Sequence, residues 1–491
     1  MKKRTTSIRL NFLMNIILTM SSFIFPLITF PYVSRVLLPE GNGKMQVATS
    51  FISYFLLISQ LGIPTYGIRI CASVRDSREK LSKTVQELFF IQMCMTIIAY
   101  LLLFICVKTI PQVAEERTLY MVLGTTIILN TLGMEWLFKA LEEYTYITIR
   151  SIIFKVISVV AMFFVVRSSE DYLLYASITV VASAGANLLN LSKVHSYIDW
   201  KKFKDYHFYK HIKPILVLFA YTCATTIYTN IDSVMLGFMT SNIEVGYYGV
   251  AIKIKNILVS VITALGAVML PRVSYYYENG DMDTFWSAIS KSMRFVVMIS
   301  LPLAIYFMIF AESSIVLISG EEYIDAVSPM VCIMPTIILI GITYVLGMQI
   351  LIPMGKESTV LFASVVAAVV NVIVNMLLIP SLKSTGAAVG TLIAEIVVLV
   401  ILGYVLRKKI IYLIKECNVG LKIIACIVAA GLSSLVHMWE LENIKILVLS
   451  TIIFFGVYVG ILRLGKDELI CTTEKQVLAY IYKLKAKMGY R

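Results

Sequence analysis

Stretches of eighteen or more apolar residues recur along this chain from one end to the other. Each is long enough, at 1.5 Å per residue, to cross about 30 Å of hydrocarbon as a helix. In lipid every backbone N–H and C=O must be satisfied by the chain itself, so spanning segments are helices or strands of a closed barrel. A barrel would show short alternating segments instead. The sequence is 59% hydrophobic and only 15% charged, where a soluble domain carries about 25% charged residues. It predicts an all-α polytopic membrane protein with about fourteen transmembrane helices. They lie near 11–33, 45–66, 86–107, 119–138, 148–166, 172–191, 214–238, 246–270, 293–311, 327–352, 359–379, 387–406, 421–437 and 444–462. The start, MKKRTTSIRL, has the charge of a signal peptide, but the run behind it is too long and lacks a small-residue cleavage site. It reads as an uncleaved first helix. The eight cysteines are scattered without a CxxC, so no disulfide framework is implied.

A net charge of +13 would suit a nucleic-acid partner, but its placement argues for topology. With the N-terminus cytoplasmic, 34 of the 43 Lys and Arg fall on cytoplasmic ends and loops, Lys139, Arg150 and Lys155 among them. Seven fall outside: Arg35, Lys44, Lys108, Arg117, Arg167, Lys383 and Lys445. Lys253 and Lys255 remain within the membrane. This bias follows the positive-inside rule, supports an even number of spans, and puts both termini in the cytoplasm. No nucleic acid is expected as a partner; the lipid bilayer is. The outer loops, about fifteen residues or fewer, have no room for a catalytic domain.

The chain repeats itself. Leu132-Gly133-Met134-Glu135-Trp136-Leu137 returns as Leu346-Gly347-Met348-Gln349-Ile350-Leu351, and the same offset of 214 joins Glu143 to Glu357 and Thr145 to Thr359. Helices 1–6 therefore read as duplicated in 7–12. An even number of spans per copy makes the copies parallel, with a substrate site expected between them. The division predicted is a six-helix lobe at 1–200, a second at 201–410, two further helices at 411–464 and a basic cytoplasmic tail at 465–491.

Within the hairpin from Lys213 to Ser274 stand the most costly residues, Asp232, Lys253 and Lys255. An ionisable group at membrane depth marks a functional site by default. Helix 8 aligns Gly249, Lys253, Asn256, Ser260 and Thr263 on one face, while Lys255 points the other way. Helix 7 aligns Thr222, Thr225, Thr229 and Asp232, and Asp232 is near enough in depth to pair with Lys253. In the first copy, helix 1 aligns Asn11, Asn15, Thr19, Ser22, Pro26 and Thr29; helix 2 aligns Gln46, Ser50, Ser53 and Gln60. Any one stripe could be interhelical glue. Four at repeat-related positions favour a shared hydrated cavity. Pro26 and Pro31 are expected to bend helix 1. Glu395 in helix 12 is either an ion-coupling group, together with Asp232, or a neutral buried acid. Asn371 and Asn375 read as packing. Arg35 sits at the outer interface, where headgroup contact competes with a cavity role.

No GxxxxGK[ST], HExxH, GxSxG or S-x-x-K motif is present. His207 and His211 have i, i+4 spacing but no sequence partner for a metal. No catalytic residue, metal or cofactor is expected.

Several segments together resemble one family. They are TFPYVSRVLLPEGNGKMQVATSF with LGIPTYGIR after it, EWLFKALEEYTYITIRSIIFKVIS, NIDSVMLGFMTSNIEVGYYGVAIKIKNI followed by LPRVS, and GMQILIPMGKES. The chain resembles the polysaccharide-exporting, Wzx-type flippases of the MATE-like MOP superfamily. The resemblance implies two six-helix lobes around a central cavity, working by alternating access in a bacterial cytoplasmic membrane. It implies a substrate of undecaprenyl-diphosphate-linked oligosaccharide for surface polysaccharide (O-antigen, capsule or exopolysaccharide), and other polysaccharide-assembly membrane proteins as partners. Basic cavity residues are a mark of the group, and Lys253 is the matching position. The first half of helix 1 departs from it in having no deep basic residue. A drug/cation antiporter of the same superfamily is the alternative, kept open by Asp232 and Glu395. A membrane polymerase or ligase is the rival from another class, opposed by the short outer loops.

Overall fold

The computed structural model describes residues 8–439, 442–471 and 474. Lys2, Lys3, Arg4 and most of the basic tail lie outside them. Among the described residues every regular element is a helix. The chain forms two compact units, 1–249 and 250–491.

The first unit holds α1 (Ile8–Gln60), α2 (Ile63–Val74), α3 (Arg78–Thr109), α4 (Pro111–Glu115), α5 (Arg117–Gly133), α6 (Glu135–Ala140), α7 (Tyr144–Val165), α8 (Tyr172–Ala184), α9 (Leu188–Val194), α10 (Tyr209–Met239) and the start of α11 (Asn242–Glu278). The second holds the rest of α11, then α12 (Met282–Ile309), α13 (Ala311–Ser319), α14 (Val327–Ile333), α15 (Thr336–Tyr344), α16 (Glu357–Val405), α17 (Arg407–Glu416), α18 (Val419–Ser434) and α19 (Asn443–Leu464). The unit boundary thus falls inside α11, and α10 packs with the first unit on α1 and α2.

Nine described helices are long and apolar enough to span a bilayer, or eleven with two bent pairs. Two of them, Leu13–Val74 and Glu357–Val405, each contain two of the segments read from the sequence. Their joints are single residues. Leu38 (φ 59°, ψ 177°) breaks α1 directly before Pro39, whose ring pushes the preceding residue out of helical dihedrals. Lys383 (φ 51°, ψ −126°) divides α16 three residues beyond Pro380. There the chain doubles back so tightly that a Cβ on Gly386 would meet the Leu378 carbonyl oxygen at 2.6 Å. The fourth sequence segment is α5, whose 17 residues end at Met134 in left-handed dihedrals (φ 41°, ψ 42°). Each of the fourteen segments therefore has a helix beneath it. The LGMEWL and LGMQIL segments each interrupt a helix, the first at Met134 and the second by a π-helical turn, Val345–Leu351.

Lipid-facing sides are apolar, as on α7, where Ile149, Ile153, Val156, Ile157 and Val160 are exposed. Inside the first unit, Met45, Phe51, Phe55, Leu103, Leu119 and Leu123 bind the second arm of α1 to α3 and α5. In the second unit, Tyr306 and Phe310 pack on Phe454, and the Tyr306 Oη lies 2.8 Å from Thr451 Oγ1. That seats α19 on α12. Such contacts matter in lipid, where close packing and hydrogen bonds replace the hydrophobic drive between helices.

Candidate functional site

The first arm of α1 carries its polar stripe into a cavity of 630 Å³ within the first unit. Asn15, Thr19, Ser22, Pro26 and Thr29 form one wall, in the register read from the sequence. Thr19 Oγ1 donates to the Asn15 carbonyl at 2.8 Å and Ser22 Oγ to that of Leu18 at 3.2 Å. Pro26 and Pro31 are carried without a break in helical dihedrals. The facing wall is α8, with Tyr175, Thr179 and Ser183 four residues apart. The third wall is α7, with Arg150, Ser151, Lys155, Ser158 and Met162 on one face.

The count of bases places Lys155 with the cytoplasmic ends, but its contacts put it inside the helix bundle. It stands seven residues inside the segment read at 148–166, about 10 Å along a helix. Its Nζ donates to Ser21 Oγ at 2.9 Å and Ser22 Oγ at 3.1 Å, the middle of the first span. Arg150, 3% exposed, is also internal: Nη1 donates to Asn187 Oδ1 and Nη2 to Glu135 Oε2, both at 3.1 Å. Glu135 also takes Lys139 at 2.8 Å. Asn187 can approach because Gly133 has no side chain; a Cβ there would stand 2.5 Å from the Asn187 Cβ. The signal for this wall was present in EWLFKALEEYTYITIRSIIFKVIS, as a helical face running Arg150, Ser151, Lys155 and Ser158.

The other sequence candidates lie elsewhere. On the second arm of α1, Gln46 Nε2 donates to Ser233 Oγ at 3.4 Å, and Ser50 is buried. On α10, Thr225 and Thr229 turn their hydroxyls back to helix carbonyls at 3.0 Å. Asp232 is 5% exposed and accepts from Tyr248 Oη at 2.6 Å. Arg35 is exposed near the joint of α1. In the second unit, Lys253 and Lys255 are both half-buried, Asn256 is exposed, and Ser260 Oγ donates to the Ile257 carbonyl at 2.6 Å. Glu395 is buried in α16. Asn375 Nδ2 donates to Asn371 Oδ1 at 3.2 Å, and a Cβ on Gly390 would meet Asn375 Oδ1 at 2.1 Å, so this pair packs the two arms of α16.

A second polar centre joins residues far apart in sequence. Glu87 and His211 are both fully buried, with His211 Nε2 and Glu87 Oε2 2.8 Å apart and His211 Nδ1 2.9 Å from Tyr66 Oη. Lys210 and the His207 backbone N–H complete the shell of Glu87, at 3.0 and 2.7 Å. It ties α10 to α2 and α3. Among the described residues no group of three or more His, Cys, Asp or Glu could hold a metal.

Comparison with known proteins gives this architecture a family. An O-antigen transporter relative from Escherichia coli (strain K12) is 21% identical over 400 residues, 81% of this chain and 96% of its own. A low-salt glycan biosynthesis flippase relative from Haloferax volcanii is 22% identical over 292 residues, 59% of each chain. The lipid II flippase MurJ, in an inward closed conformation, superposes with a TM-score of 0.74 at 13% identity over 94% of this chain and 100% of that one. An inward-facing MATE multidrug resistance transporter of the MOP superfamily superposes with a TM-score of 0.62 at 13% identity, over 82% and 99%. The MatE family matches residues 218–377. With its family model matching residues 8–276, this chain belongs to the polysaccharide biosynthesis protein family.

Proposed function

We propose that this protein is a flippase that moves undecaprenyl-diphosphate-linked oligosaccharide repeat units from the cytoplasmic to the outer leaflet by alternating access. It acts in a bacterial cytoplasmic membrane with both termini cytoplasmic, and works without catalytic chemistry of its own. One observation supports this reading most directly. The 630 Å³ cavity of a polysaccharide-family membrane protein is walled by hydroxyls and amides and by more bases than acids. Hydroxyls and amides match sugar hydroxyls, and bases match phosphate. A cation antiporter would need the reverse charge, and Glu135 is already held by Lys139 and Arg150. In this mechanism Asp232 and the α11 stripe of Lys253, Asn256 and Ser260 also meet substrate, with Lys255 and Arg35 as helpers, and the carboxyls of Glu395 and Asp232 carry a coupling ion.

The test is a deletion strain with leaflet-resolved detection of lipid-linked repeat units. Accumulation on the inner leaflet, reversed by the intact gene and poorly by Lys253→Ala, is expected. Accumulation on the outer leaflet, or unchanged surface polysaccharide, would overturn the reading.

A further inference from the structure

The cavity walled by α1, α7 and α8 holds more positive charge than its own residues neutralise. Lys139 and Arg150 share the one carboxylate of Glu135. Among the described residues, Lys155 donates to the hydroxyls of Ser21 and Ser22 and lies 5.8 Å from the ring of Phe25, and the carboxylate that acts on it is again that of Glu135. A charge at this depth is costly unless water or an opposite charge meets it. Two more groups in the lining have no hydrogen-bond partner among the described residues: Arg150 Nε and Ser158 Oγ, in side chains 3% and 4% exposed. Each buried donor left unmet is unfavourable, and an acceptor in the cavity would remove that penalty.

We propose that this cavity is an oxyanion-binding site, in which Arg150 Nε, Lys155 Nζ and Ser158 Oγ donate to one phosphate or carboxylate group. Lys155 and Ser158 are three residues apart on α7 and so share a face, with Arg150 about two turns before Ser158. Arg150 is held in place by Asn187 and Glu135 on its two Nη atoms, which fixes the guanidinium plane before any ligand arrives. None of the residues that line this cavity belongs to α11. That the anion belongs to the transported molecule, as diphosphate linker or acidic-sugar carboxylate, rests on the flippase reading above.

The full chain in phosphatidylcholine nanodiscs, which supply no anionic lipid, would be titrated with radiolabelled pyrophosphate and separately with glucuronate. Saturable binding of at least one is expected. Lys155→Gln should weaken it at least tenfold and Ser158→Ala about threefold, while Lys155→Arg stays within about twofold. Binding of pyrophosphate assigns the site to the linker, and binding of glucuronate to an acidic sugar. Binding of neither overturns the proposal. So does unchanged affinity in a Lys155→Gln protein that elutes as a single folded peak; if that variant does not fold, unchanged affinity in Ser158→Ala does the same. Anion binding as expected, with no inner-leaflet accumulation in the deletion strain, would leave the site standing and remove the flippase reading.

Discussion

Gly43 lies so close to Asn242 that a Cβ on the glycine would stand 1.6 Å from the Asn242 carbonyl oxygen. The reciprocal contact is also present: a Cβ on Gly246 would stand 2.1 Å from the carbonyl oxygen of Pro39. Gly246 follows Gly43 by 203 residues, and Asn242 follows Pro39 by the same number. The first turns of the second arm of α1 and the first turns of α11 therefore lie against one another through residues spaced alike in the two.

Gly43→Ala and Gly246→Ala should each force these turns apart, at about 1–3 kcal/mol for overpacking. If transport requires them to close, each variant should lose most export while remaining folded. Labelling of Asn242→Cys by a membrane-impermeant maleimide should rise several-fold when Gly43→Ala is added. Equal labelling with and without Gly43→Ala would show that the contact does not govern closure.

Tyr248→Phe keeps the ring but withdraws the 2.6 Å bond to Asp232. Both residues are buried, at 0% and 5% exposed. Loss of a bond to a buried carboxylate costs about 1–3 kcal/mol. Thermal unfolding in detergent should show this loss for Tyr248→Phe, and Asp232→Asn on top of it should add less than it costs alone, because the two act on one bond.

The stripe on α1 was legible because helical periodicity at 3.6 residues places Asn15, Thr19 and Ser22 on one side whatever lies opposite. The breaks before Pro39 and near Pro380 were legible too, as gaps between apolar runs. Lys155 was not. Counting bases by nearness to a segment end treats a lysine seven residues inside like one at the edge, whereas its phase with Arg150 and Ser158 shows that it faces inward. The centre at Glu87 and His211 could not be read at all. Its members are 124 residues apart, and the spacing of His207 and His211 pointed only to a metal without ligands. The glycine contact was hidden for a similar reason, since a turn glycine in sequence does not reveal which carbonyl will lie against it.

Glu87→Ala should be among the most damaging substitutions in the first unit. It removes the shared acceptor of His211, Lys210 and the His207 N–H, leaving Nε2 of a fully buried imidazole and a backbone donor without that carboxylate. Breaking a buried charged network from one side costs about 3–5 kcal/mol. Low yield of monodisperse protein and a marked fall in melting temperature are expected, with Glu87→Gln intermediate because it still accepts.

In the second unit, Lys422 is 1% exposed, and its Nζ donates to Asp467 Oδ2 at 2.8 Å and to the Cys417 carbonyl at 2.6 Å. The pair fastens the start of α18 to the chain beyond α19. Lys422→Met leaves the buried Asp467 carboxylate without its counter-charge, at a cost of about 3–5 kcal/mol, while Lys422→Met with Asp467→Leu should recover most of it. Cys417 reports on the same corner. Burial pushes its thiol up to about 11 from the usual 9.0, outweighing the pull of Lys422 and Arg294 in the other direction. Since the thiolate is the reactive form, maleimide labelling at pH 8 should run roughly 100-fold below that of an ordinary thiol. It should also rise about tenfold per pH unit up to about pH 11. Lys422→Met should open the corner and speed labelling at pH 8, and the double variant should restore the slow rate. Fast labelling of Cys417 in the unaltered protein would show that the corner is already open.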